Sequence, residues 1–399
     1  MLLQNPHMPF SLRLIESEIR KVSRAFPALI LTGPRSSGKT TLLRHLFPKA
    51  AYFLFEDPDL VLRLRSDPRG FIESLKPPVI FDEIQNVPEI FNYVRTRIDE
   101  KPSRKGQWYL TGSQEAGLMR GVTESMAGRA AIFQLMPFST EESKRVVPLR
   151  GGFPEALARP RTAAIWYKSY IQTYLERDVR QVTSIKNLAT FRKFLSLLAA
   201  RSGQILNKSD LASGLGVSVP TVTEWMSVLE ITSQILIVPP FYENFGKRLV
   251  KSPKVYFVDS GLLCYLLGMN SEKVLMASPF WGAVFEGFVA SEIVKAQINR
   301  GMARQIYFFR DEQGLEVDFL VPSEGGKIHL IEIKAAQTVF PNDAAGLLKL
   351  ASKIKRGPHE QCVIYRGEKS AAITTALAPS VKALTLKQFL GNVFLPGLI

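Results

Sequence analysis

The chain has little sulfur and little histidine. Its two cysteines, Cys264 and Cys362, sit in apolar surroundings and make neither a disulfide framework nor a metal pair. Its four histidines (His7, His45, His329 and His359) show no ligand spacing, which argues against zinc chemistry. No apolar run approaches the ~20 residues that cross a bilayer. The first fifteen residues contain prolines and lack a basic start followed by a clean apolar block, so they do not read as a signal peptide. Internal repeats and low-complexity tracts are missing as well. These absences point to a cytoplasmic protein in a reducing compartment, without a membrane partner. What the chain has in surplus is positive charge: 51 Lys+Arg against 36 Asp+Glu leave +15 over 399 residues. Such a balance suits a polyanion, most often nucleic acid, although it also serves as a solubilising surface. The length allows two or three domains, each with its own core.

One stretch organises the rest. The apolar run Ala28-Leu29-Ile30-Leu31 leads into Gly33-Pro34-Arg35-Ser36-Ser37-Gly38-Lys39-Thr40-Thr41 and then into Leu42-Leu43-Arg44-His45-Leu46, giving strand, glycine-bounded loop and helix. The glycines admit backbone conformations and close approaches that a Cβ would block, so successive N–H groups can wrap a polyphosphate. The helix N-terminus adds partial positive charge; Lys39 is placed for the β- and γ-phosphates and the Thr40 hydroxyl for Mg²⁺. ATP and Mg²⁺ are therefore the expected cofactors, with residues 33–41 as the cradle.

A second strand, Val79-Ile80-Phe81, ends in Asp82-Glu83. At the strand beside a P-loop, Asp82 would hold Mg²⁺ through its water shell and Glu83 would orient or deprotonate the attacking water. Paired acids also end strands merely to be solvated, and it is the upstream P-loop that tips the reading towards chemistry. Leu110-Thr111-Gly112-Ser113 closes a third strand, where Ser113 is placed to touch the γ-phosphate. Arg129 follows a glycine and precedes the strand Ala131–Leu135; it reads either as an arginine finger or as a surface arginine in a turn. Residues 10–25 pattern as an amphipathic helix with Leu12, Ile15, Ile19 and Val22 on one side.

The middle of the chain is helical and basic. Residues 165–182 and 187–201 pattern as helices. Residues 207–225 then give a short helix, a turn at Gly216 and a second helix capped by Ser218, which is helix-turn-helix grammar. Gln234–Val238 would begin a wing whose basic tip runs from Phe241 to Lys254. Residues 150–255 hold fifteen Lys/Arg against seven Asp/Glu, a net +8. That concentration favours contact with a DNA backbone through Lys208, Thr221, Lys247, Arg248 and Lys251; winged helices also serve as protein–protein modules.

The last third carries a helical Glu286, then Asp318 on one strand and Glu332-Ile333-Lys334 on the next, with the alternation of a strand placing Glu332 and Lys334 on one face. Asp318 and Glu332 are suited to a divalent metal, Glu286 to assist it and Lys334 to orient water. The segments 360–365 and 383–389 read as edge elements of this domain.

Gly33–Thr40, Glu56-Asp57-Pro58, Ile80–Gln85, Leu110–Ser113 and Ala127-Gly128-Arg129 together resemble the AAA-type P-loop ATPases of prokaryotes, in particular the subgroup fused to a C-terminal domain of unknown function. The likeness spans essentially the whole chain, and the C-terminal constellation resembles the PD-(D/E)xK nuclease fold. The resemblance implies an α/β protein: a three-layer P-loop NTPase (AAA+) domain over residues 1–148, a helical and winged-helix domain over 149–268, and an α/β restriction-endonuclease-like domain over 269–399. It further implies a homo-oligomer with Arg129 as a trans-acting or sensor arginine. Two functions follow. One is an ATPase that remodels or translocates on structured DNA, branched DNA included. The other is a nucleotide-dependent switch that binds a protein partner and uses its C-terminal domain as a non-cleaving scaffold.

Overall fold

The structure, a computed structural model, describes residues 11–112, 125–175, 188–241, 251–354, 357–367 and 376–394. Helix α1 (Glu16–Ser23) packs Ile15 and Ile19 into the core, whereas Leu12, expected on the same stripe, precedes the helix and is 73% exposed. Strand β1 (Ala28–Thr32) is buried throughout and feeds the loop into α2 (Lys39–Leu46). Strand β2 (Ala51–Leu54) follows, then α3 (Pro58–Ser66) and α4 (Pro68–Ser74). Both of these helices start with proline behind an aspartate cap: Asp57 accepts from the Asp59 N–H and Asp67 from the Gly70 N–H. Proline costs nothing there, because its missing donor would be unpaired anyway. Strand β3 (Val79–Asp82), α5 (Ile90–Glu100), β4 (Trp108–Thr111) and β5 (Ala130–Gln134) complete the unit.

The five strands form one parallel sheet in the order β2-β3-β4-β1-β5. The acidic strand β3 is therefore not beside the P-loop strand, as expected above, but one strand removed, with β4 between them. Strands this apolar need cover on both faces. Ile15, Ile19, Leu42, Leu43 and Leu46 supply it on one side, and Leu64, Phe71, Phe91 and Val94 on the other.

The middle unit contains α6 (Pro154–Ala158), α7 (Ala163–Tyr170) with a π-helical continuation to Leu175, α8 (Leu188–Ala200), α9 (Lys208–Leu215) and α10 (Val219–Ile231). The expected helix-turn-helix is present. Asn207 caps α9, Gly216 ends it at φ +66, and Ser218 caps α10 by accepting from the Thr221 N–H. Strands β6 (Ile235–Val238) and β7 (Lys254–Phe257) pair antiparallel, and Ile205 bridges to Lys254 on the other side. Helices α11 (Ser260–Leu266) and α12 (Glu272–Ala277) lead onward.

Helix α13 (Trp281–Asn299) is buried on nearly every side, from Val284 to Asn299, its polar residues Ser291, Glu292, Lys295, Gln297 and Asn299 included. Strands β8 (Tyr307–Arg310), β9 (Glu316–Pro322) and β10 (Ile328–Lys334) form an antiparallel meander. Then come α14 (Ala345–Ala351), β11 (His359–Tyr365), β12 (Ala376–Ala378), β13 (Val381–Thr385) and α15 (Leu386–Phe394). The mixed sheet runs β12-β13-β11-β10-β9-β8, with β11 parallel to both β10 and β13. Residues 360–365 are thus interior rather than edge, as are the strand residues 383–385; the edges are β12 and β8. The Phe241 N–H donates to the Phe308 carbonyl (2.8 Å) and the Phe308 N–H to the Pro239 carbonyl (3.1 Å), so backbone pairing continues from the segment after β6 into this sheet. No helix among the described residues is long and apolar enough to cross a membrane.

Candidate functional site

The loop between β1 and α2 has the backbone that a phosphate cradle requires. Gly33 stands at φ +130 and Gly38 at φ +98, where other L-residues are strained. A Cβ on Gly33 would meet the Leu135 carbonyl oxygen at 2.3 Å. Gly33→Ala is therefore expected to cost about 2 kcal/mol of folding stability and to spoil nucleotide uptake, measured by chemical denaturation and by titration with a fluorescent ATP analogue. The Lys39 ammonium lies back over its own loop, donating to the Gly33 and Pro34 carbonyls at 2.9 Å each. Ser37 is fully buried, and its hydroxyl has no protein partner. Arg13, buried near the chain start, braces the outside of the loop by donating to the Ser37 carbonyl (3.0 Å) and the Met136 carbonyl (2.6 Å) while pairing with Glu142.

The acids expected opposite the loop are there. Asp82 is 2% exposed, and its Oδ2 accepts from the Thr40 hydroxyl (2.6 Å) and the Tyr52 hydroxyl (2.7 Å), while Oδ1 accepts from Thr111. Thr40 and Asp82, the two residues assigned to Mg²⁺, are thus brought into contact. The sequence marks Tyr52 only as a tyrosine in an otherwise apolar strand. Burial, and then the Asp82 carboxylate beside it, push its phenol far above the ordinary tyrosine value, so it remains a donor. Glu83 sits at φ +58, a left-handed glutamate directly after the strand, and accepts from Gln85. Arg35 places its guanidinium 3.6 Å from Glu83 and 3.7 Å from Glu56. The donor set of the loop, the buried Ser37 hydroxyl, Thr40 and Asp82 fit a nucleotide triphosphate with Mg²⁺.

Arg129 is not part of this arrangement. In a parallel sheet the loop lies at the C-terminal ends of the strands, and Arg129 stands at the N-terminal end of β5, its carbonyl accepting from the Ala28 N–H. Its guanidinium is held by Asp99 at 2.6 and 3.0 Å. A sensor role within the same chain is excluded by that separation. Ser113 lies outside the described residues, as do Lys247 and Arg248.

The middle unit touches the loop directly. The Tyr170 hydroxyl donates to the Arg35 carbonyl at 3.5 Å and accepts from Gln234 at 3.0 Å. Lys208 opens α9 and is half-buried, Thr221 is bound to its cap Ser218, and Lys251 is exposed. The solvent side of α10 carries Pro220, Glu224, Ser227 and Glu230, and no lysine or arginine. Lys254, counted with the basic wing tip, is instead 3% exposed and ion-paired with Glu286 (3.1 Å) and Glu316 (2.7 Å).

Around that lysine the C-terminal constellation assembles. Lys334 donates to Glu332 at 2.9 Å, Asp318 accepts from the Ile333 N–H at 2.8 Å, and Tyr256 donates to Glu286 at 2.5 Å. Burial raises the Asp318 carboxyl well above the usual range, and Glu286 and Glu332 push the same way. For Lys254 burial opposes the charge, but Glu286, Asp318 and Glu316 prevail and hold it protonated. Among the described residues no three His, Cys, Asp or Glu side chains stand together as a metal cage. The donor set also disagrees with one, because two ammonium groups already pair with Glu286, Glu316 and Glu332. The penalty on Asp318 sets in as pH rises past the ordinary carboxylate value and is complete above its raised folded value. Asp318→Asn, which retains an acceptor for Ile333, is accordingly expected to stabilise the fold by about 1 kcal/mol at neutral pH, read as a higher urea midpoint.

Residues 25–144 match the AAA domain family, 142–273 match a domain of unknown function (DUF8612) and 281–389 match another (DUF4143). The uncharacterized proteins Rv2008c of Mycobacterium tuberculosis (strain H37Rv) and Mb2031c of Mycobacterium bovis are each 32% identical over 330 residues, covering 81% of this chain and 73% of theirs. Among solved structures, the Walker-type ATPase PABY2304 of Pyrococcus abyssi is 18% identical over 63% of this chain and 94% of its own, with a TM-score of 0.43. The Holliday junction branch migration motor RuvB of Thermotoga maritima is 15% identical over 58% and 91%, with a TM-score of 0.33. Scores this low carry no argument about the present chain. Sequence identity and coverage do: the chain belongs to the same family as the two mycobacterial proteins, with an N-terminal AAA domain followed by two domains of unknown function.

Proposed function

We propose that the chain binds and hydrolyses ATP and uses the cycle to act on DNA. The observation that carries the ATPase reading is the contact of Thr40 with Asp82 beneath a glycine-bounded loop, with Glu83 at the next position. Lys39 and the loop N–H groups bind and orient the phosphates; Thr40 and Asp82 would hold Mg²⁺, which supplies charge neutralisation at the phosphates. Glu83 takes a proton from the attacking water. DNA as the partner is supported by the net +8 of residues 150–255, most of which falls in residues 150–201, ahead of the helix-turn-helix. Phosphate release measured with and without duplex and branched DNA at low salt tests this; stimulation is expected, and no binding to either DNA overturns the DNA reading.

One observation favours a second reading. The solvent side of α10, which would enter a groove, bears Glu224 and Glu230 and no cation, a poor surface for a polyanion. On this reading the chain is a nucleotide-dependent switch that binds a protein partner. The C-terminal domain is then a non-cleaving scaffold, supported by the two lysines that neutralise its acids. The oligomeric state belongs to both readings, since Arg129 can reach a nucleotide only on a neighbouring copy. Sedimentation with and without a non-hydrolysable ATP analogue tests that role, with assembly on nucleotide expected.

A further inference from the structure

Arg35 belongs to the cradle loop, but its side chain has been given no role there. Nucleotide loops of this spacing do not require an arginine at its position, yet here its guanidinium is only 8% exposed. It lies between two carboxylates, 3.6 Å from Glu83 and 3.7 Å from Glu56. Its backbone is fixed from the middle unit, through the Tyr170 hydroxyl on its carbonyl and Gln234 behind that hydroxyl. On the ATPase reading the attacking water lies between Glu83 and the terminal phosphate, so a cation beside Glu83 stands next to the reacting atoms. Arg129 cannot serve there within one chain, being at the opposite end of the sheet.

We propose that Arg35 supplies, from inside the loop of its own chain, the cation that stabilises the transferring phosphoryl group. The inference rests on the ATPase reading. Water oxygen forms a bond to the terminal phosphorus while the bond to the bridging oxygen breaks, its electron pair leaving with ADP. The water proton passes to Glu83 and then to solvent, and the overall change is ATP plus water to ADP, phosphate and a proton. Arg35 donates hydrogen bonds to the phosphoryl oxygens and keeps its own protons. Its planar fork suits two oxygens at once, which a lysine ammonium cannot match.

The test compares the native chain with Arg35→Ala, Arg35→Lys and Lys39→Ala, using steady-state phosphate release, titration with a fluorescent ATP analogue, and trapping of ADP with aluminium fluoride. Arg35→Ala is expected to lower kcat about 10³-fold, to change analogue affinity less than about threefold, and to abolish trapping while ADP still binds. Arg35→Lys keeps a cation beside Glu56 and Glu83, so it preserves the fold, and its kcat is still expected to fall about 100-fold. Arg35→Lys thus decides the matter if the alanine variant fails to fold. An unchanged or raised kcat in either variant, or a loss confined to affinity, overturns the role. Loss of turnover in Lys39→Ala with normal turnover in the Arg35 variants removes only this inference; unaltered ATP binding in Lys39→Ala removes the ATPase reading beneath it.

Discussion

Lys39→Ala is expected to reduce ATP affinity about 100-fold and to bring turnover to background. Lys39 is 5% exposed, and its ammonium is directed back to the loop, where it bonds the Gly33 and Pro34 carbonyls. Charge-assisted hydrogen bonds to phosphate of about 3 kcal/mol correspond to that fold-change in affinity. Alanine also leaves two loop carbonyls without their donor, so the loop itself loosens. Titration of the variant with a fluorescent ATP analogue, beside phosphate release, checks the prediction; affinity within threefold of native would be incompatible with the cradle described here.

The second large effect concerns stability. Glu292 and Lys295 form an ion pair of 3.0 Å on α13, at 0% and 2% exposure. Glu292 also accepts from the Thr140 N–H and hydroxyl at 2.6 Å each, and Lys295 donates to the Phe138 carbonyl at 3.1 Å. The pair therefore fastens the buried helix to the segment that leaves the ATPase sheet. Glu292→Ala strands an ammonium in the core and removes two acceptors, with an expected cost of about 3–5 kcal/mol. The double replacement Glu292→Leu with Lys295→Met removes both charges and is expected to recover most of the loss. Urea denaturation of the single and double variants measures both; a single variant within 1 kcal/mol of native would show the pair to be energetically idle.

What could be read from the residues alone was what is local. The glycine-bounded loop, the acids after β3, the capped helix pair at 207–231 and the Asp318, Glu332 and Lys334 pattern all depend on neighbours within a few positions, and side-chain alternation or capping chemistry reports them. Order across a sheet is different. Nothing within Val79–Asp82 tells that β4 inserts between it and β1, nor within His359–Tyr365 that this strand is flanked on both sides, because crossover connections decide both. Charge counting failed for a related reason. Lys254 adds one to a basic total whether it faces water or Glu286 and Glu316, and the partners that bury it lie 32 and 62 positions away in the chain. Helix α13 offers no amphipathic stripe to read because nearly all its sides are covered, and only the direction of β5 separates a same-chain role for Arg129 from one across a subunit boundary.

That same lysine limits how the protein can be divided. A fragment stopping after α12 would leave Lys254 without its two counterions and the segment after β6 without the backbone partner at Phe308. One beginning at α13 would leave Glu286 without its ammonium partner and Glu316 with Arg310 alone. Proteolytic or recombinant separation at this seam should yield two insoluble halves, and any nucleotide-driven displacement must carry wing and sheet together as one lever.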